Sequence, residues 1–254
     1  MESKNRLVIT LAVILLIVGA IFTSFGRSLF SLTTPSVDLP THAGSSGSIS
    51  SPGDSSQPDS YQRLEVTPET VQHVIASLSR PASYSREFTV EYLWEGGSSS
   101  IPVQFWTDSG WSHSRRIQPS GLIRHDLVGP DGWHYWYEGY SQYESAPADE
   151  YSADLSQHIP TYETVLGLEP SHITDAGYEM RGELPCIYVV TAVPELDLLE
   201  RYWISTDNGL LVSAEQEQSG QLVYRMSAYS PVQSPCPSTA SFRLPDGTQL
   251  HFVA

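Results

Sequence analysis

Lysine is absent from this 254-residue chain after Lys4, so the positive side chains of the rest of the sequence are arginines. From residue 61 onward, ten arginines stand against 25 aspartates and glutamates, a formal charge of −15. Proteins bind nucleic acid through lysine and arginine side chains that displace the counterions of the phosphate backbone. An acidic surface repels that backbone, so nucleic acid is excluded as the expected partner.

Catalytic motifs are also absent. No Gly-x-Ser-x-Gly elbow stands at a strand-to-helix junction, and the Gly-Ser clusters lie in a low-complexity segment. Pairs of acids such as Asp149 with Glu150, or Asp126 with Asp131, have the chemistry for glycoside hydrolysis. Acids are common throughout this sequence, however, and nothing distinguishes these four. We therefore expect a protein that is not an enzyme.

Histidine is present in eight copies, but no metal-site pattern accompanies it. His113, His125 and His134 lie on different predicted strands, without a cysteine partner and without the ligand spacing of a zinc site. We expect these histidines at the surface or at strand edges. No metal and no cofactor are predicted.

One long apolar run lies near the N-terminus. Leu7 to Phe25 is 19 residues without a charge, which at about 1.5 Å per residue crosses a hydrocarbon core of about 30 Å. Lys4 and Arg6 precede it, which predicts that the rest of the chain lies outside the cell membrane. Cleavage after Ala20 would make the run a signal peptide. Its length exceeds the roughly 7 to 15 apolar residues of cleaved signals, which favours a retained anchor.

Composition divides the chain into three parts. Residues 1–27 form the cytoplasmic stub and transmembrane anchor. Residues 28–60 are rich in Ser, Pro, Gly and Thr, a composition that cannot bury a core and predicts a disordered linker or a tether to the cell wall. Residues 61–254 contain the aromatic and aliphatic side chains of a folded domain.

Cysteine occurs only twice, at Cys186 and Cys236. Neither lies at the end of the apolar run, where a lipoprotein would be acylated, so a lipoprotein signal is excluded. An even pair outside the cytoplasm favours a disulfide, which would close a loop of about 50 residues and contribute about 4 kcal/mol. The alternative is two unpaired thiols, one of them in the core.

Hydrophobic periodicity predicts one helix followed by strands. Thr67, with Pro68 after it, is typical of a helix start, and an apolar stripe at helical spacing continues to Leu78. Glycines at intervals of 11 to 13 residues then indicate a meander of strands through Gly132. A short helix is expected near Pro160, and further strands follow it.

The clearest local signal is a hairpin centred on Asn208-Gly209. Both residues tolerate the positive φ of a two-residue type I′ turn, and the turn joins two runs of strand-forming residues. Such a turn places Leu210, Val212 and Ala214 on one face of the second strand. A third strand follows after a turn at Ser219.

This hairpin, with its Tyr202-Trp203-Ile204 strand, polar turn and Leu-Leu-Val run, resembles the central hairpin of the lipoprotein-carrier superfamily, the LolA/LolB-like and RseB-like fold. The stretch from Phe242 to Gly247 is similar to that family's C-terminal signature. The resemblance extends over residues 67–253. It implies an α+β fold in which one strongly curved antiparallel sheet, a half-barrel of about ten strands, wraps around one or two helices. A two-sheet sandwich is the alternative fold.

Tryptophans are concentrated in the first half of the predicted sheet, and three interpretations apply: core packing, a platform for sugar rings, or the lining of an apolar cavity. The family resemblance implies an apolar hollow that receives an acyl chain or a partner. The tryptophans expected to line it are Trp94, Trp106, Trp111, Trp133, Trp136 and Trp203.

These observations together predict a membrane-anchored, extracytoplasmic, non-enzymatic domain that holds a lipid chain or an apolar segment of an envelope protein. An anchored domain on a short tether cannot shuttle between membranes. The alternative function is a cell-envelope scaffold or activating partner of a peptidoglycan hydrolase in sporulation or germination, or a cell-envelope hydrolase itself.

Overall fold

The computed structural model describes residues 65–253. The predicted membrane anchor and linker lie outside these residues. Within them, none of the helices has the length and apolar character needed to span a bilayer.

Eleven strands form one antiparallel sheet, and two more form a separate small sheet. The strands are β1 (Tyr84–Trp94), β2 (Gly97–Asp108), β3 (Trp111–Ile117), β4 (Ile123–Gly129), β5 (Gly132–Tyr137), β6 (Glu144–Ala146), β7 (Ile173–Arg181), β8 (Leu184–Val193), β9 (Leu198–Ser205), β10 (Leu211–Gln218), β11 (Gln221–Ser227), β12 (Phe242–Arg243) and β13 (Gln249–His251).

The large sheet consists of two meanders that meet at one seam. Its order is β6-β5-β4-β3-β2-β1-β11-β10-β9-β8-β7, so every pair of neighbouring strands in the sheet is also consecutive in the chain, except β1 and β11. The sheet is not closed, and β6 and β7 are its edge strands. The prediction of one large antiparallel sheet is confirmed. The described residues do not form the two-sheet sandwich considered as the alternative.

Three short helices accompany the sheet: α1 (Val71–Ser77), α2 (Ser152–Leu155) and α3 (Tyr162–Leu166). Single 3-10 turns occupy Pro170–His172 and Pro194–Leu196. Helix α1 begins later than its predicted N-cap at Thr67. The Thr67 hydroxyl donates to the Glu69 carboxylate at 2.7 Å instead of capping the helix, and residues 68–70 form a turn.

The main core lies between the helices and one face of the sheet, which we call the inner face. Alternate residues of β1, β2 and β8–β11 point to it, and α1 and α3 cover them. The core includes Val71, Ile75, Phe88, Val90, Ile101, Val103, Phe105, Val165, Ile187, Val189, Tyr202, Ile204 and Met226. Burial of each large aliphatic or aromatic side chain contributes about 1.5–3 kcal/mol.

The opposite, outer face is partly covered by the β12–β13 hairpin. Phe242 and Leu244 of this hairpin are buried against Leu127 and Trp136 of the large sheet. His251 stacks on Trp111 at a ring-centroid distance of 5.9 Å. The C-terminal segment thus closes the part of the outer face that β2–β5 form.

The hairpin between β9 and β10 differs from its prediction. Residues 206–210 connect the strands, and Gly209 has a positive φ of 65° whereas Asn208 does not. The Asn208 side-chain oxygen accepts a hydrogen bond from the Leu210 backbone at 3.0 Å, which stabilises this longer turn. The expected two-residue type I′ turn is therefore wrong.

A bulge follows that turn and changes which side chains share a face. The register shifts between Leu211 and Ser213 where β10 pairs with β9. Val212 consequently packs with Trp203 on the outer face, whereas Ala214 belongs to the inner-face core. The prediction that Val212 and Ala214 share a face is wrong, because a bulge inserts one residue into the alternation.

We predict that Gly129→Ala destabilises the fold, because an alanine Cβ at this position would lie 2.1 Å from the Trp111 ring. Displacing that ring also disturbs its stacking on His251. We expect a loss of about 1–3 kcal/mol in the free energy of unfolding, measured by urea denaturation.

Gly167→Ala is the matched control, because its Cβ would meet no atom closer than 3.4 Å. An unchanged stability of the Gly129→Ala protein would contradict the packing described for Trp111.

Candidate functional site

A cavity of about 370 Å³ opens on the inner face beneath the segment that joins α2 to α3. Its volume lies in the range of small-molecule pockets. The residues that line it are Tyr92, Leu155, His158, Ile159, Pro160, Glu200, Tyr202, Ala214, Glu215, Gln216 and Tyr224. We call this cavity the hollow.

Tyrosines from three strands form the sheet side of the hollow. Tyr92 of β1 and Tyr224 of β11 are register partners across the seam, and their rings meet edge to face at 5.6 Å. Tyr202 of β9 is buried beside them, and burial raises its pKa well above the ordinary value for tyrosine. The rings supply a large apolar surface that carries polar hydroxyl groups.

The rim of the hollow at β9 and β10 is acidic but internally paired. The Gln216 side-chain amide donates to the Glu200 carboxylate at 3.0 Å. Glu215 contributes to this rim between Ala214 and Gln216, but its carboxylate points to the outer face, where it is paired with Arg181 at 2.7 Å and Arg225 at 3.2 Å. Both carboxylates therefore already have partners.

A buried carboxylate lies on the inner face next to the hollow. Asp126 of β4 is fully buried and accepts two hydrogen bonds from Arg124, at 2.7 and 2.8 Å, and one from Trp133 at 3.0 Å. His158, which lines the hollow, is 3.8 Å from it. Burial alone would raise the pKa of Asp126, but the interaction with His158 and the hydrogen bonds from Arg124 and Trp133 lower it to about 2.

Arg116 of β3 is the exception to this pairing. It is only 7% exposed, yet no carboxylate of residues 65–253 lies within 4 Å of its guanidinium, and its Nε has no hydrogen-bond partner. Burial lowers its pKa, while the charge of Asp126 and the hydroxyls of Tyr92 and Tyr224 oppose that effect. The Tyr224 hydroxyl is likewise buried without a partner.

The roof of the hollow is held by a second buried arginine. Arg86 of β1 donates to the Leu211 carbonyl at 3.0 Å and to the Gln157 side chain at 2.6 Å. Gln157 in turn donates to Asp154 of α2 at 3.0 Å. This chain of hydrogen bonds fixes the α2–α3 segment over the sheet.

The six tryptophans expected to line one hollow lie in different places, which corrects that prediction. Trp94 and Trp133 point to the inner face, where Trp94 is 58% exposed and Trp133 donates to Asp126. The others point to the outer face: Trp106, Trp111 and Trp136 pack under the β12–β13 hairpin, and Trp203 packs in a separate cluster. Their strand positions are of opposite parity, so they cannot share one face.

The predicted disulfide is not formed in this structure. Cys186 and Cys236 are both buried free thiols. Cys186 packs with Trp203 and Val212, whereas the Cys236 backbone donates to the Ser83 hydroxyl at 3.0 Å. Burial raises the pKa of each thiol to about 11.

Two of the three highlighted histidines meet on the outer face. His113 Nδ1 donates to the Ser241 carbonyl at 2.8 Å, and its Nε2 lies 3.0 Å from Nδ1 of His125. Burial, and then the nearby His125, lower the pKa of His113 to about 3. His134 instead contacts Ser145 at 2.8 Å. Within the described residues, no group of three or more histidine, cysteine or acidic side chains could hold a metal ion.

The residues that form the hollow carry no local signal of a binding site. Tyr92 continues the alternation of β1, and the α2–α3 segment is distinguished in the sequence only by the short helix expected near Pro160. Arg116 follows Ser112 and Ser114 at the spacing of one strand face, a polar pattern, and only the register places it opposite the apolar Val103.

No family model and no curated protein sequence matches this chain. Solved structures do match. MucB, in a crystal structure with MucA(peri), is 16% identical with a TM-score of 0.33, and the match covers 66% of this chain and 56% of MucB.

Two further matches are LprF from Mycobacterium bovis and a LolA superfamily protein from Nitrosomonas europaea. LprF is 14% identical with a TM-score of 0.39, over 72% of this chain and all of LprF. The LolA superfamily protein is 10% identical with a TM-score of 0.32, over 66% of this chain and 93% of that protein. At these identities and TM-scores the matches record a likeness and carry no further argument, so the function is argued from this chain's own residues.

We predict opposite effects for two neighbouring arginines. Arg124→Met leaves the buried Asp126 without its main partner and should cost about 3–5 kcal/mol of unfolding free energy. Arg116→Met removes a buried charge that has no partner and should be neutral or stabilising by about 1–3 kcal/mol. Chemical denaturation of both variants checks this, and equal losses would show that Arg116 is paired in solution.

The pH dependence of the unfolding free energy should reflect the titration of the Asp154 carboxyl. Burial, followed by the charge of Glu163, raises the pKa of Asp154 to about 6. The folded state therefore holds this proton more tightly than the unfolded chain, and that stabilisation is present below about pH 4 and lost as the pH rises through about 6.

Asp154→Asn removes the ionisable group and therefore this pH-dependent loss of stability. As the pH rises from 4 to 8, the unfolding free energy of the variant should increase by on the order of 1 kcal/mol relative to that of the wild type, a value reduced for partial exposure to solvent. Urea denaturation at pH 4, 6 and 8 measures the difference. A stability difference that stays constant with pH would contradict the assignment.

Proposed function

We propose that this chain is a non-enzymatic binding domain that holds an apolar chain, either of a lipid or of a partner protein, in the hollow. The observation that carries the proposal is a cavity of about 370 Å³ lined mainly by tyrosine rings and by aliphatic side chains of the α2–α3 segment. Ligand pockets combine such walls with a few well-placed polar groups. The strong sheet curvature that the family resemblance implies would deepen this hollow.

The place of action that we propose is the outer side of the cell membrane, with residues 7–25 as the anchor and 28–60 as the linker. The apolar run and the positive residues before it support this topology. The acidic folded domain has few cations to attract an anionic membrane surface, so an apolar ligand must be recognised mainly within the hollow.

A second candidate function is a scaffold for another envelope protein, such as a peptidoglycan hydrolase. An aromatic pocket of about 240 Å³ near the β5–β6 edge favours it. Tyr137, Tyr140 and Tyr143 of this pocket are 37–64% exposed, and Leu122 is 49% exposed. Tyrosines are enriched at protein–protein interfaces.

Photolabelling of the full-length chain separates the two candidates. We expect a photoreactive sixteen-carbon probe to label peptides of the α2–α3 segment and of β9–β11. Leu155→Glu places a charge at the edge of the hollow and should reduce this labelling at least several-fold, because a charged group is costly beside an apolar ligand.

Leu122→Glu is the matched control, since both leucines are about half exposed and only Leu155 lines the hollow. Absence of labelling in the hollow would refute the lipid-binding proposal. Copurification of an envelope protein that Leu122→Glu abolishes and Leu155→Glu does not would establish the scaffold instead.

A further inference from the structure

Two buried hydrogen-bond donors without partners lie beside the hollow. The Arg116 side chain is 93% buried and its Nε is unpaired, and the Tyr224 hydroxyl is buried and unpaired as well. Buried polar groups are nearly always hydrogen-bonded, because leaving one unpaired carries the full desolvation cost. The Arg116 guanidinium can only donate hydrogen bonds, and the Tyr224 hydroxyl can donate one as well. A ligand that pairs with both groups must therefore supply a hydrogen-bond acceptor.

The local charge shows what kind of acceptor fits. Arg124 and Asp126 neutralise each other through their two hydrogen bonds, and Asp126 is also held by Trp133. Arg116 therefore contributes one uncompensated positive charge on the inner face. A planar guanidinium matches the oxygens of a carboxylate or phosphate, to which it donates two parallel hydrogen bonds.

The position of Arg116 ties this charge to the hollow. Its side chain leaves β3 on the inner face, the same face as Tyr92 and Tyr224, and both tyrosine hydroxyls are near enough to influence its pKa. Tyr92 and Tyr224 line the hollow together with Leu155 and Ile159, and Arg116 lies beside this lining rather than in it.

We propose, on the basis of the proposed function, that the hollow binds an amphiphile with a single oxyanion head, and that Arg116 binds the head while the apolar walls hold the chain. The Tyr224 hydroxyl donates to the same head. The Glu200 carboxylate, which lies on the inner face at the rim of the hollow, would repel a second anionic group, which restricts the ligand to one charged end.

Three probes with the same sixteen-carbon chain test this proposal on the full-length protein. They are photoreactive derivatives of hexadecanoic acid, hexadecyl phosphate and hexadecanol. We expect at least one of the two acids to label the hollow about tenfold or more efficiently than the alcohol at limiting concentration, as a charge-assisted hydrogen bond predicts. Which acid is preferred identifies the head as carboxylate or phosphate.

Arg116→Met should abolish the preference for the acid and leave labelling by hexadecanol intact, which also shows that the hollow is still folded. Arg116→Lys keeps the charge and should restore part of the preference. Arg115→Met is the matched control, because Arg115 is the adjacent residue on β3 but points to the outer face, where it pairs with Glu138 at 3.3 Å.

The outcomes separate this inference from the function on which it rests. Equal labelling by acids and alcohol, or a preference that survives in Arg116→Met, would overturn the oxyanion head while the hollow remains a lipid site. No labelling of the hollow by any of the three probes would overturn both.

Discussion

The pairing of β1 with β11 is the contact on which the rest of the domain depends. It joins the two meanders through only four residue pairs, from Thr89–Ser227 to Tyr92–Tyr224, and the members of each pair are more than 130 residues apart in the chain. Without it each meander would expose an additional long sheet edge, a template for unwanted strand pairing. The inner-face core spans this seam, with Val90 facing Met226, so the two halves bury their apolar surface together.

The candidate site lies at one end of this seam. Tyr92 and Tyr224 are the last register partners of β1 and β11, and both line the hollow. A site built from both meanders exists only when the seam has formed. The sheet supplies fixed tyrosines, whereas the α2–α3 segment supplies the roof and is attached through the Arg86–Gln157 hydrogen bond.

The two faces of the sheet use aromatic residues differently. On the outer face, Trp111 and Trp136 pack with the β12–β13 hairpin, and His113 holds the hairpin through the Ser241 carbonyl. These rings are structural because another element covers them. On the inner face, tyrosines remain beside an open cavity, and one arginine remains without a partner. Buried groups that lack a partner are costly, so the inner face is where binding is expected.

The sequence by itself determined the antiparallel sheet, the positions of most strands and the existence of a helix after Thr67. Alternation and turn residues encode these features locally, since each depends on a few neighbours along the chain. It also located the short helix near Pro160. The sequence pattern did not reveal the β10 bulge at Val212. One inserted residue changes the face to which the neighbouring side chains point, but the residues remain typical of a strand.

Only the tertiary structure decided which residues form the site. The six tryptophans stood out by residue type, but strand register divided them between opposite faces. Arg116, Tyr92 and Tyr224 come from three strands and reach the same face of the sheet because β2 pairs with β3 and β1 pairs with both β2 and β11. The separation of the two cysteines was decided in the same way. Contacts between distant residues depend on register and on closure of the seam, and neither is encoded by residues that are close in sequence.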